Sequence, residues 1–333
     1  MKIRILSDLH LDINHKYPID IADPYVFTII AGDLGGDYKQ NVKWLNDNIL
    51  TGVFISGNHD AYTPDNTPVD DVKKYYHKAF PEGGDLVYCD YDVGVISKTV
   101  GNLMIIADVL YTDYTLKVVD SDKELVRSGL IERNMFRASP KFNGSYMNDF
   151  RFFTRKDKSC GQDNQRDEYC PNGCFYINTR TYLEHFNSAF KKITELVEAN
   201  QDKDIILVTH HCLSKKCISG EFSKSSLNAS YVSPKDNWIK KHPNIKLIVS
   251  GHVHHRDTFK VGKTLYVLNP LGYCRNYQDK QTNPKTKKVE NWTPNFYVDT
   301  ETWTITKEPY ENDKKFDEIH DRESKYDLLR AFF

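Results

Sequence analysis

The sequence predicts a layered α/β fold closed by antiparallel strands, on three observations. Short β-branched runs recur along the chain, stretches with helical apolar spacing lie between them, and hairpin patterns take over after residue 255. Apolar runs of about four to six residues bounded by turn residues read as strands buried on both faces. Ile3–Leu6, Val26–Ala31, Val53–Ile55, Ile205–Val208 and Leu247–Val249 are such runs. Val42, Leu45 and Ile49 stand three and four apart, as do Phe186, Phe190, Ile193 and Val197, so each set shares one helix face. Ser121 followed by Glu124 has the form of a capping box and predicts one more helix. Strand alternating with helix gives the layers. Asp257–Val261 and Thr264–Leu268 then flank a Gly262-Lys263 turn, and Asn295–Asp299 and Thr302–Thr306 flank another. Antiparallel strands added to parallel ones make a mixed sheet.

Composition narrows the function classes. A chain of 333 residues with 39% hydrophobic and 27% charged residues is globular and long enough for a sizeable core. Its 45 Lys+Arg balance 46 Asp+Glu, which argues against general nucleic-acid coating. No stretch reaches the roughly 18 apolar residues of a membrane span. The seven cysteines are odd in number and scattered, unlike a secreted disulfide framework, and Met1–Asp8 has no apolar signal region. Those features read as a reduced, cytoplasmic protein.

Residues 139–178 are polar and lie in what reads as an insertion at about 112–180; the tail 311–333 is highly charged and ends in apolar residues, as a short docked helix would. Cys160, Cys170 and Cys174 lack Cys-x-x-Cys spacing and read as loop thiols sooner than as a zinc site. Asp12 and Asp37 read as turn or cap groups, and Cys212 as a small packed residue.

Several of the strand runs stop at metal-binding residue types. Asp8 and His10 are two apart at a strand end and share a face, and His252 and His254 repeat that spacing. Asp33, Asn58 and His210 end three further runs. In α/β sheets ligands gather beyond the carboxyl ends of the strands, where these groups would converge. Carboxylates, imidazoles and one amide suit manganese, iron, zinc, cobalt or nickel. Seven groups are too many for one ion; with one carboxylate shared they suit two. Singly, each residue is an ordinary strand-end turn residue. Together they are not.

Asp8-Leu-His10, Gly32-Asp33, Gly57-Asn58-His59-Asp60, Thr209-His210-His211 and Gly251-His252-Val-His254 occur in the order that characterises the calcineurin-like metallophosphoesterases, which the chain resembles over most of residues 1–275. Leu110–Tyr114, Met147–Arg151 and Asn269–Tyr273 resemble segments of a bacterial and phage subgroup. Leu34-Gly-Gly after Asp33, and the insertion at 152–178, depart from the family pattern. The resemblance implies a four-layer αββα sandwich with two mixed β-sheets, spanning residues 1–310. It also implies that Asp8, His10 and His254 hold one divalent ion, that Asn58, His210 and His252 hold a second, and that Asp33 bridges them. A hydroxide between the ions would attack phosphorus, His59 would protonate the leaving group or stabilise phosphoryl charge, and Asp60 would fix the His59 ring. His211 could stand in for His210, line the substrate cleft or donate from behind the ligands. Arg151 fits either a phosphate clamp or a surface ion pair with Asp149, and Asn148 could reach the cleft.

The implied activity is a dinuclear metal-dependent phosphoesterase acting on a diester or monoester, a nucleotide or other small phosphorylated molecule. A nuclease would need a local basic groove from Lys141, Arg151, Arg155, Lys156 and Lys158. A protein phosphatase, or a scaffold that kept the fold without catalysis, are the other readings; the full ligand set and His59 argue against the scaffold.

Overall fold

The structure is a computed structural model that describes residues 1–308 apart from 15–18, 20, 66, 82, 90–95, 117, 121–122, 126–147, 150–153, 156–174, 177–178, 224, 274–279 and 283–288. Arg151, the cysteines at 160, 170 and 174, and the tail 311–333 lie outside the described residues.

The chain opens with β1 (Lys2–Leu6), β2 (Thr28–Ala31), α1 (Tyr38–Asn48), β3 (Gly52–Ile55), α2 (Val69–Ala79) and β4 (Leu86–Cys89). Next come β5 (Ile96–Val100), β6 (Leu103–Asp108) and two short ribbons, β7 (Val118–Asp120) with β8 (Lys123–Leu125) and β9 (Thr154–Arg155) with β10 (Phe175–Tyr176). The second half carries α3 (Thr179–Ala199), β11 (Asp204–Thr209), α4 (Asp236–Lys241), β12 (Ile245–Ser250), β13 (Asp257–Val261) and β14 (Thr264–Leu268). A ribbon of β15 (Lys280–Thr282) and β16 (Val289–Asn291) precedes β17 (Phe296–Asp299) and β18 (Thr304–Lys307).

Two six-stranded sheets result, in the orders β18-β17-β1-β2-β3-β4 and β13-β14-β12-β11-β6-β5. In each, four neighbouring strands are parallel and the outer ones antiparallel, so both sheets are mixed as expected. The side-chain period of two then makes four layers. Ile3, Ile5, Ile29 and Val53 face Ile206, Val208, Leu247 and Val249 in a core between the sheets. Ile30 and Phe54, on the other face of the first sheet, pack under Val42 and Leu45 of α1 and Val72 and Tyr76 of α2. Ile205, Leu207 and Ile248 do the same under Phe186, Ile193 and Val197 of α3 and Ile239 of α4. This is an αββα sandwich, and both faces of the central strands are buried.

The Gly262-Lys263 hairpin and the β17–β18 hairpin form where the sequence places them, and Asp37 caps α1 by accepting from the amides of Lys39 and Gln40. The helix predicted from Ser121 and Glu124 does not form at Glu124. Lys123–Leu125 is instead a strand paired with Val118–Asp120, because a capping box needs an amphipathic run behind it and here a β-branched pair lies just ahead. Among the described residues no helix is long and apolar enough to cross a membrane.

Candidate metal centre and active site

Parallel strands β1, β2 and β3 of one sheet and β11 and β12 of the other end at a common rim, and each releases its polar residues there. Five of those residues, Asp8, His10, Asp33, His252 and His254, take left-handed backbone conformations with φ between 44° and 70°. Non-glycine residues adopt that region at a cost of about 1–3 kcal/mol each, and such strain persists where the surroundings over-determine it. The bracing is visible. Asp60 is fully buried, and its carboxylate accepts from the backbone amides of Gly57 (2.6 Å), Asp33 (3.0 Å), Leu34 (3.1 Å) and Gly35 (3.3 Å). Asp33 answers by accepting from the His59 amide at 2.8 Å. The two loops are thus pinned to each other. A Cβ on Gly57 would collide with the Asp33 carboxylate, and one on Gly32 (φ 90°) with the His210 ring. Those two positions admit only glycine.

Asp60 therefore does not hold the His59 ring, as the resemblance implied. Neighbouring residues of the short 3-10 turn His59–Ala61 point apart, and the ring of His59 meets the Tyr273 hydroxyl instead, at 2.9 Å from Nε2. Asp60→Ala should orphan four buried amides; at about 1–3 kcal/mol for each unsatisfied group, a loss on the order of 3 kcal/mol or more is expected after partial rehydration. Urea denaturation of wild type and variant measures it.

All seven expected ligands come together. Ligand atoms of Asp8, His10, Asp33 and His254 lie within 4.8 Å of one another, as do those of Asp33, His210 and His252, with Asp33 common to both groups. His10 Nε2 sits 2.9 Å from His254 Nε2, and the Asn58 Oδ1 lies 3.0 Å from His210 Nε2 and 2.9 Å from His252 Nδ1. Asp8 spends Oδ1 on the His252 amide at 2.8 Å, while its buried Oδ2 has no hydrogen-bond partner among the described residues. The chemistry of this donor set fits divalent cations. Burial pushes the His10 and His252 imidazoles well below their ordinary range, leaving them in the neutral form that binds metals. Burial would raise the Asp33 carboxyl, but the imidazoles of His210, His59 and His10 outweigh it and hold Asp33 well below the carboxylate range. For His210, burial works downward and the Asp33 and Asp8 carboxylates upward, and the result is about 9. The two carboxylates attract positive charge at the His210 position. The His210 ring is oriented from behind by the Ala31 carbonyl at 2.8 Å from Nδ1.

His211 is a different case. Residues that follow one another at a strand end point opposite ways, and the His211 ring is fully buried among Tyr111, Tyr182 and His252. It does not line the cleft. Asn148 does.

The sequence also concealed a positioning group. Asp149 is fully buried and accepts from Asn58 Nδ2 (2.9 Å), from the Tyr62 hydroxyl and from the Tyr182 hydroxyl (2.7 Å). Tying up the amide nitrogen turns the Asn58 oxygen toward His210 and His252. Asp149→Ala should weaken binding at the Asn58 position about 10- to 100-fold, the usual cost of losing a group that orients a ligand, read as the second step of a manganese titration.

No family model matches the sequence, and no curated protein matches it. Among solved structures, the phosphopantetheinyl hydrolase of Mycobacterium tuberculosis is similar over 87% of this chain and 95% of its own, with a TM-score of 0.57 at 16% identity. The two chains share a fold. That fold is the metallophosphatase-like αββα sandwich. A putative 5'-nucleotidase from Staphylococcus aureus (14% identity, 96% of this chain and 58% of that one, TM-score 0.41) is also similar. So is a sulfate thiohydrolase from Thermus thermophilus (11% identity, 73% and 33%, TM-score 0.31).

The metallophosphatase-like scaffold opens its rim into a cleft of about 360 Å³. Asp33, Asn58, His252 and His254 form its floor, His59, Tyr62 and Tyr273 one margin, and Ile218, Phe222, Leu227 and Tyr231 belong to a further wall. The His59 ring stands beside that of His10, 4.6 Å away centroid to centroid.

Proposed function

We propose that this chain is a dinuclear metal-dependent phosphoesterase that hydrolyses a phosphodiester or phosphomonoester of a nucleotide or other small phosphorylated molecule. The observation that carries the reading is the convergence of seven groups of metal-ligating type on one rim, beside a histidine that belongs to neither cluster. Asp8, His10 and His254 would hold one ion, Asn58, His210 and His252 the other, and Asp33 would serve both. Manganese, iron, zinc, cobalt and nickel all suit these donors. When bound, two such ions supply an ionised water as nucleophile and positive charge for the phosphoryl oxygens.

The rest of the chemistry falls to the protein's own side chains. The neighbouring imidazoles of His210 and His59 hold the Asp33 carboxyl well below the carboxylate range, so the floor carries its negative charge at neutral pH. The His59 amide is fixed on Asp33, which sets where the ring stands. Its Nε2 meets the Tyr273 hydroxyl, and a leaving-group oxygen entering the cleft takes the place of that hydroxyl and receives the proton. The Asp33-to-Asp60 bracing keeps floor and acid in register while this happens.

The test is reconstitution. Chelator-stripped protein loaded with manganese should bind two ions per chain and turn over 4-nitrophenyl phosphate or bis(4-nitrophenyl) phosphate. Two bound ions without turnover on either ester would favour the scaffold reading. Cleavage of single-stranded RNA or DNA that weakens steeply with salt would favour the nuclease.

A further inference from the structure

Between β11 and α4 the chain folds into three short 3-10 turns, Lys215–Cys217, Gly220–Phe222 and Ser226–Ser230. The Ser214 and Ser225 side chains start two of them by accepting from the amides of Lys216 and Leu227, and buried Cys217 and Ala229 anchor the segment in the core. What remains faces the cleft. Ile218, Leu227 and Val253 are partly exposed there, and the Phe222 side chain is 55% exposed. Tyr231 joins this wall to the floor, its ring 4.5 Å from that of His252. Apolar area left in water forgoes about 25 cal/mol per Å², so a wall of this kind at a reactive floor gains when something apolar covers it.

Resting on the phosphoesterase reading, we infer that the cleft takes the phosphate ester of an uncharged aromatic group, with Ile218, Phe222 and Leu227 as the surface that recognises the ring. A phosphoryl group occupies the floor alone. The wall shares one cavity with that floor, so it covers the non-reacting part of the same substrate. Among the described residues, the polar groups that line this wall are Ser219, Ser225 and Asn228, which can hydrogen-bond a ring substituent and carry no charge for a second anion. Selection is by ring contact.

Phenylphosphonate and methylphosphonate separate the two halves of the site, because both present the same phosphonate and only one presents a ring. Binding of each to the manganese-loaded protein is measured by calorimetry, alongside turnover of 4-nitrophenyl phosphate and bis(4-nitrophenyl) phosphate. Phenylphosphonate should bind on the order of tenfold tighter or more in wild type. In a Phe222→Ala, Leu227→Ala double variant that ratio should fall toward about one, with Phe222→Leu alone retaining part of it. Phe222 is largely exposed, so unchanged manganese stoichiometry will certify the fold of that single variant and of the double one. Equal affinities in wild type, a ratio that survives the double variant, or no binding of either phosphonate while an ester is turned over would overturn the inference and leave the phosphoesterase reading standing. Absence of both binding and turnover with two manganese ions in place would overturn the phosphoesterase reading itself.

Discussion

Asp33→Asn should abolish turnover by at least about a thousandfold and leave the chain binding fewer than two manganese ions. Asp33 is the one residue common to both ligand groups, so its charge counts twice. Charge stabilisation by metal ions in such reactions amounts to several kcal/mol, and each 1.36 kcal/mol is a factor of ten in rate. The substitution is nearly isosteric and keeps an oxygen that can accept from the His59 amide, so the loops around it should hold. Three imidazoles beside Asp33 hold its carboxyl well below the ordinary range against the effect of burial. Without that charge the His210 imidazole loses the main influence that keeps it high, and its affinity for a proton should drop with its neighbour's affinity for a metal. Metal content is read by elemental analysis after gel filtration, and turnover at saturating manganese. A variant that retained two ions and near-normal turnover would show that Asp33 serves neither ion.

The candidate metal-binding rim was legible in the sequence because its residues sit at strand ends, and strand ends announce themselves. Ile3–Leu6 before Asp8, or Leu247–Val249 before His252, combine a β-branched run with an abrupt change to polar groups, and the parallel topology does the rest. Leu103–Asp108 has the same apolar character and lies within the second sheet, yet no ligand follows it, so a reading anchored on ligands passes over it. Contacts made by loops were not legible for a different reason. Asn58 meets Asp149 across 91 positions and His59 meets Tyr273 across 214, and no local periodicity encodes such pairs. Asp60 shows the limit within a single motif. Its sequence neighbour is the catalytic candidate, but the residues whose amides it satisfies belong mainly to the preceding loop, and only the register of β2 against β3 brings them close. The left-handed backbone at Asp8, His10, Asp33, His252 and His254 has no local signature either, since it is imposed by hydrogen bonds from other strands.

His59→Ala should slow ester hydrolysis about a hundred- to ten-thousand-fold, the range for losing a positioned general acid, while two manganese ions remain bound. The separation of the two readouts follows from the geometry. His59 contributes its backbone amide to Asp33 and its ring to the cleft, and only the ring is removed. The ligand atoms lie in groups that do not include it. The size of the effect should depend on the leaving group. An ester that releases nitrophenolate needs little protonation, so its rate should fall toward the small end of the range. One that releases an alkoxide should fall toward the large end. Tyr273→Phe provides the contrast, because it removes the hydroxyl that meets His59 Nε2 and leaves the imidazole in place. Its cost should be far below that of His59→Ala and nearly the same for both leaving groups. If His59→Ala instead lost metal, or slowed both esters equally, the ring would be holding the site together and the proton donor would have to be sought elsewhere along the cleft.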